Sequence, residues 1–142
     1  MLHYKKNDSN YSQKIVGSWF LQDHGYNDSY TTSLIAFAAD GRKCVIGADY
    51  NLSQTGRRET TYWDNRWKVE DGYLITTITK SSGQYTKPGD KIRNKILLLE
   101  SNNLNVLMET DSDYVPSLEK HVRLAGEDPS RICEVIDRHF GA

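Results

Sequence analysis

Two Asp-Gly pairs constrain this chain more than any other feature. Asp40-Gly41 separates the runs 29–38 and 43–52, and Asp71-Gly72 separates 67–70 from 73–80, with β-branched or aromatic residues on both sides of each pair. Asp-Gly between two such runs predicts a two-residue hairpin turn, because both central residues must take positive φ and Gly, Asn and Asp do so at least cost. Once the turn is set, the two-residue period of a strand assigns every side chain to a face. With Asp40 and Gly41 at the centre, Ala39 faces Arg42, Phe37 faces Cys44, Ile35 faces Ile46 and Ser33 faces Ala48. The expected core side is therefore Ile35, Phe37, Cys44 and Ile46, with Ala36, Ala38, Lys43 and Val45 opposite. The same arithmetic around Asp71-Gly72 pairs Val69 with Leu74 and Trp67 with Thr76, placing Trp67, Val69, Leu74, Thr76 and Ile78 on one face. Two independent turns with coherent apolar faces predict a meandering antiparallel sheet.

Other segments extend the meander. The run 14–21 holds Gly17-Ser18-Trp19, read as a strand whose backbone is closely approached at the glycine and whose indole floors a core. Residues 22–28 and 53–58 are rich in turn formers and read as loops. Trp63 and Trp67 flank Asp64-Asn65-Arg66, a polar interruption of the kind a bulge or loop makes. Residues 91–100 end in Leu97-Leu98-Leu99 and turn at Asn102-Asn103 into 104–110. That hairpin is apolar on both faces in its middle, so the C-terminal helix or a partner is expected over its outer side. The last strand, 118–125, is read with Val122 and Leu124 inward and His121 and Arg123 outward. Asp128-Pro129 is a helix start, and Ile132, Val135, Ile136 and Phe140 recur at helical spacing up to Gly141. The predicted fold is all-β: an eight-stranded antiparallel up-and-down barrel with a C-terminal α-helix, 129–140, packed on the outside. Residues 1–13 form a polar lead-in and 14–142 a single barrel domain.

Composition excludes several partners. Eighteen basic and nineteen acidic residues among 142 give a net charge of −1. No single-sign block makes a footprint for nucleic acid, and no apolar run reaches the roughly 18 residues of a membrane span. Residues 1–10 lack the apolar core of a signal peptide. A leader already removed would place the protein in the periplasm or outside the cell, and otherwise it belongs in the cytoplasm. Cys44 and Cys133 have two readings: buried small apolar residues, or a disulfide tying the C-terminal segment to the barrel in an oxidising compartment. Without CxxC or paired histidines no zinc site is expected, and no cofactor is.

Each catalytic group lacks its partner, so no enzyme is expected. Asp23 and His24 are sequence neighbours, which do not share a strand face. Ser18 has no Gly-x-Ser-x-Gly elbow. Glu109, Asp111 and Asp113 alternate like a calcium loop, but Tyr114 and Lys120 stand where that loop requires Gly and Glu.

Gly17-Ser18-Trp19 on the first strand, Asp40-Gly41 after the second, the hairpin 67–74 and Arg123 on the last strand together resemble the calycins, and among them bacterial lipocalin-like domains. The family's Thr-Asp-Tyr motif is replaced here by Ser101-Asn102-Asn103. The resemblance implies a barrel around a cavity and a non-enzymatic binding role, with Arg123 packed over Trp19 at Gly17 to close the barrel bottom, a cation–π contact worth about 1 kcal/mol. Tyr50, Tyr62, Trp63, Trp67 and Thr76 have two readings: the wall of a ligand site, since mixed aromatic and hydroxyl groups suit a small apolar or amphipathic molecule, or the filling of a small barrel packed solid. Loops 22–28 and 53–58 would rim a cavity of at least ~300 Å³. The alternative is an inhibitor or immunity-type module that binds a protein through the barrel exterior and loops, with Tyr26, Tyr30 and Tyr85 as its patch.

Overall fold

The computed structural model describes residues 2–24, 29–51, 57–83, 86–108 and 117–141. A helix, α1 (Leu2–Ile15), precedes strands β1 (Gly17–His24), β2 (Ser29–Phe37), β3 (Arg42–Asn51), β4 (Arg57–Glu70), β5 (Tyr73–Ser81), β6 (Lys91–Leu99), β7 (Asn103–Met108) and β8 (Ser117–Arg123), and α2 (Pro129–Phe140) ends the chain. Each strand pairs antiparallel with the next, and β8 returns to β1 through Trp19–Arg123, Phe20–Val122 and Leu21–His121, closing an eight-stranded barrel. The predicted fold class is the observed one. No helix among the described residues is long and apolar enough to cross a membrane.

The two Asp-Gly turns differ. Asp71 (φ 55) and Gly72 (φ 79) form the two-residue turn, and Val69–Leu74 and Trp67–Thr76 pair as the arithmetic requires. At the first turn the loop holds three residues. The Ala38 N–H donates to the Arg42 carbonyl (2.9 Å) and the Gly41 N–H to the Ala38 carbonyl (3.1 Å), so the strands begin pairing at Phe37–Lys43. Gly41 alone supplies positive φ here, at 94°. Asp40 instead accepts from the Arg42 N–H with its carboxylate (3.0 Å), a local bond that holds it out of the left-handed region. The extra residue shifts the register by one and reverses the faces of β3. Ile35 and Phe37 remain inside, but Cys44 and Ile46 face outward and Lys43 and Val45 enter the barrel, which corrects the predicted core.

Two further expectations are corrected. On β8 it is Glu119 and His121 that line the interior, while Leu118 and Val122 are 46% and 52% exposed. Pairing of His121 with inward Leu21, and of Arg123 with Trp19, sets this parity against the local hydropathy. On β6 a register shift between Ile96 and Leu98 leaves Leu97 unpaired, so Leu97 and Leu98 both face outward between inward Ile96 and Leu99. Helix α2 packs on β2, β3 and β4 and leaves these two leucines uncovered. The polar lead-in takes the form of the helix α1, laid over the closed end. Its polar length hides the few anchors: buried Ile15, partly buried Tyr11, and Asp8, whose carboxylate accepts from the Asp71 and Gly72 N–H groups (2.8 and 2.9 Å).

Helix α2 is held in four ways. Asp128 caps it by accepting from the Ser130 N–H (2.9 Å), and Ile132 and Ile136 bury against Ala36 and Cys44. A Cys44–Cys133 disulfide, Cα to Cα 5.2 Å, ties it to β3. Arg42 grips Asp64 through Nε and Nη2 (2.9 and 3.1 Å) and reaches Asp137 of the helix with the same guanidinium. The bond from Arg42 holds the Asp137 carboxyl below its ordinary range.

Candidate ligand cavity

One half of the barrel is solid. Fully buried Trp19, Phe37, Leu104 and Val106 fill the end capped by α1, and the Trp19 Nε1–H donates to the Ile15 carbonyl (2.9 Å). The Arg123 guanidinium lies 4.2 Å from the Trp19 ring centre. It donates to the carbonyls of Lys14, Val16 and Ser101, stitching α1, β1 and the β6–β7 turn together. Gly17 has φ 141°, and a Cβ there would collide with the Arg123 guanidinium, which accounts for the glycine.

Beyond this plug lies a cavity of about 200 Å³. That is below the ~300–1,000 Å³ typical of drug-sized ligands and below the size expected from the sequence. At interior packing density it holds on the order of ten non-hydrogen atoms. Leu21, Ile35, Val45, Leu74, Ile78 and Ile92 make most of the wall apolar, and Trp63 stands at the side with its Nε1–H on Thr86 Oγ1 (3.1 Å). Gly47, pairing with Thr61 beside it, lets this indole lie close: a Cβ at Gly47 would come within 2.8 Å of the Trp63 ring.

Polar groups converge on this apolar chamber. Lys43 from β3 places Nζ 2.9 Å from Thr76 Oγ1 of β5 and 5.1 Å from the Phe37 ring centre. Burial pushes its pKa down to about 8, against the pull of Glu119. Asn65 is paired with Lys43 across β3–β4, and Asn94 on β6 donates from Nδ2 to Glu119 Oε1 over a long 3.5 Å. Both asparagines are more than nine-tenths buried, and among the described residues the Oδ1 of each has no hydrogen-bond partner. His121, also buried, sits with Nδ1 3.1 Å from the Leu104 carbonyl. A carbonyl only accepts, so Nδ1 carries the proton. Burial first, then the Lys43 charge, push the His121 pKa down to about 4, which keeps the ring neutral at pH 7 with Nε2 as an acceptor.

Of the expected wall, Trp63 and Thr76 line the cavity. Trp67 is in the solid half, with its ring edge-on to Phe37 (5.4 Å) and its Nε1–H on the Ala38 carbonyl (3.0 Å). Tyr62 is on the exterior, stacked on His139 of α2 at 3.9 Å. Tyr50 pairs with Arg58, and its side chain lies outside the described residues, as do those of Tyr26, Tyr30 and Tyr85 and the loop residues 25–28 and 53–56. Lys43, Asn65, Asn94, Glu119 and His121 were not expected at the site. One sequence signal was available: Ile92, Asn94 and Ile96 share a strand parity, so a polar residue stands in an apolar row. Neither the protein-family models nor the curated proteins compared with this chain match it.

Proposed function

We propose that this chain is a non-enzymatic, lipocalin-like binding protein that takes a small amphipathic molecule inside the barrel. The observation that carries this reading is the chamber of about 200 Å³ inside the barrel, apolar over most of its wall and supplied with a few convergent polar side chains. The polar groups suit recognition better than turnover. Thr76 Oγ1 is committed to the Lys43 ammonium, and His121 is oriented by a backbone carbonyl and poorly basic, so nucleophile, base and orienting acid do not form a chain. The Cys44–Cys133 disulfide supports residence in an oxidising compartment, outside the cytoplasm. Native mass spectrometry of protein isolated from its source tests the reading. A bound species of low mass, released on denaturation, is expected, and its absence from freshly isolated folded protein overturns the proposal.

A second reading has an observation of its own. Leu97, Leu98, Leu118 and Val122 are all more than one-third exposed on the exterior of β6 and β8, a face that α2 does not cover. A protein-binding module using this face would carry a protein partner through the same native measurement.

A further inference from the structure

The cavity sets hydrogen-bond acceptors and donors side by side, and this narrows what fits. Asn65 Oδ1 and Asn94 Oδ1 are buried acceptors without partners among the described residues, and an acceptor left so in an apolar chamber is destabilising until a donor reaches it. Asn94 turns its Nδ2 toward an ionised Glu119, which accepts, and so its Oδ1 away from it. Neutral His121, with its Nδ1–H on the Leu104 carbonyl, adds no free donor. The donors are the Lys43 ammonium, with three N–H of which Thr76 takes one, the Asn65 amide nitrogen and the Ser33 hydroxyl. Glu119 balances the Lys43 charge. An anionic ligand would meet the Glu119 carboxylate. A cationic ligand would meet Lys43. The remaining complement is an uncharged molecule with N–H donors and one strong acceptor, on the order of ten non-hydrogen atoms in size.

We propose that the cavity recognises a carboxamide or cyclic amide on a small apolar body, its carbonyl oxygen toward Lys43 and its N–H groups toward the side-chain oxygens of Asn65 and Asn94. This rests on the binding reading above and names the ligand class for the same chamber. An amide sets a donor beside an acceptor as Lys43 and Asn65 do on neighbouring strands, and its rigid plane loses little freedom on binding.

The test uses three probes of one shape: benzamide, acetophenone, which replaces the amide NH₂ by a methyl, and benzoate. Binding is followed by Trp fluorescence, with Trp63 in the cavity wall as reporter, and by calorimetry. Benzamide is expected to bind at least about tenfold tighter than acetophenone, because a site with unpaired acceptors rejects the analogue that lacks the donor. Asn94→Leu and Asn65→Leu are each expected to weaken benzamide about tenfold while leaving acetophenone within about twofold, so retained acetophenone binding shows that the variants are folded. Acetophenone equal to benzamide, benzoate binding tightest, or variants that leave the benzamide preference intact would each overturn the amide assignment while leaving a binding barrel. Failure of all three probes to bind also overturns it, and combined with no small molecule in the native mass spectrum it removes the binding reading too.

Discussion

Lys43 and His121 give the barrel interior a measurable pH signature. The His121 pKa is about 4 in the folded chain against an ordinary 6.5, so between those values the unfolded chain binds more protons and stability falls as the solution is acidified. At about 1.4 kcal/mol for each pH unit across that window, the loss amounts to about 3 kcal/mol. Urea midpoints of wild type and His121→Leu between pH 7 and 4 check this, and the wild type should lose more. Lys43 acts in the alkaline range. Its pKa of about 8 lies below the ordinary 10.5, so the unfolded chain again binds more protons between them. Stability should therefore rise from pH 8 to 10.5 relative to Lys43→Met, and equal slopes for the two proteins would contradict burial of the amine. Neither residue was visible as an interior group in the sequence. A two-residue turn points Lys43 outward and the observed loop, one residue longer, reverses its strand, while Val122 beside His121 has the stronger claim to a core by hydropathy alone.

At the scale of elements, β1 and α2 each have a fastening whose removal can be measured. Gly17→Ala forces a side chain into positive φ and against the Arg123 guanidinium, so a loss of about 2–4 kcal/mol is expected in denaturant unfolding. Gly72 also has positive φ, but a Cβ there meets nothing within 4 Å, so Gly72→Ala should be the milder change. Reducing Cys44–Cys133 releases α2 from β3 across a sequence separation of 89, and the oxidised protein should be more stable by about 2–5 kcal/mol. Thermal unfolding with and without a phosphine reductant, compared with Cys44→Ala/Cys133→Ala, measures it. The helix start at Asp128-Pro129 was legible because capping is a local property of a few consecutive residues. The helical form of residues 2–15 was not, because its anchors at Asp8, Tyr11 and Ile15 gain their meaning only from the turn and core they touch.

For the whole molecule, a ligand in the cavity binds only the folded barrel. An amide probe at one hundred times its dissociation constant should raise stability by about 2.7 kcal/mol, and the melting temperature should climb with the logarithm of concentration. A probe that binds the exterior would leave Trp63 fluorescence unchanged, which separates the two sites. By itself the amino-acid sequence determined the meander, because turn chemistry and two-residue alternation act over short distances: Asp71-Gly72, the Gly17-Ser18-Trp19 strand and the amphipathic stripe of α2 needed nothing beyond their neighbours. Tertiary structure alone decided what lines the chamber. Barrel closure joins β8 to β1, and a single added residue at the Asp40-Gly41 turn changes the inward face of a whole strand. The polar residues so gathered come from β3, β4, β5, β6 and β8, each at a different distance along the chain, and no pattern in any one segment reports that they meet.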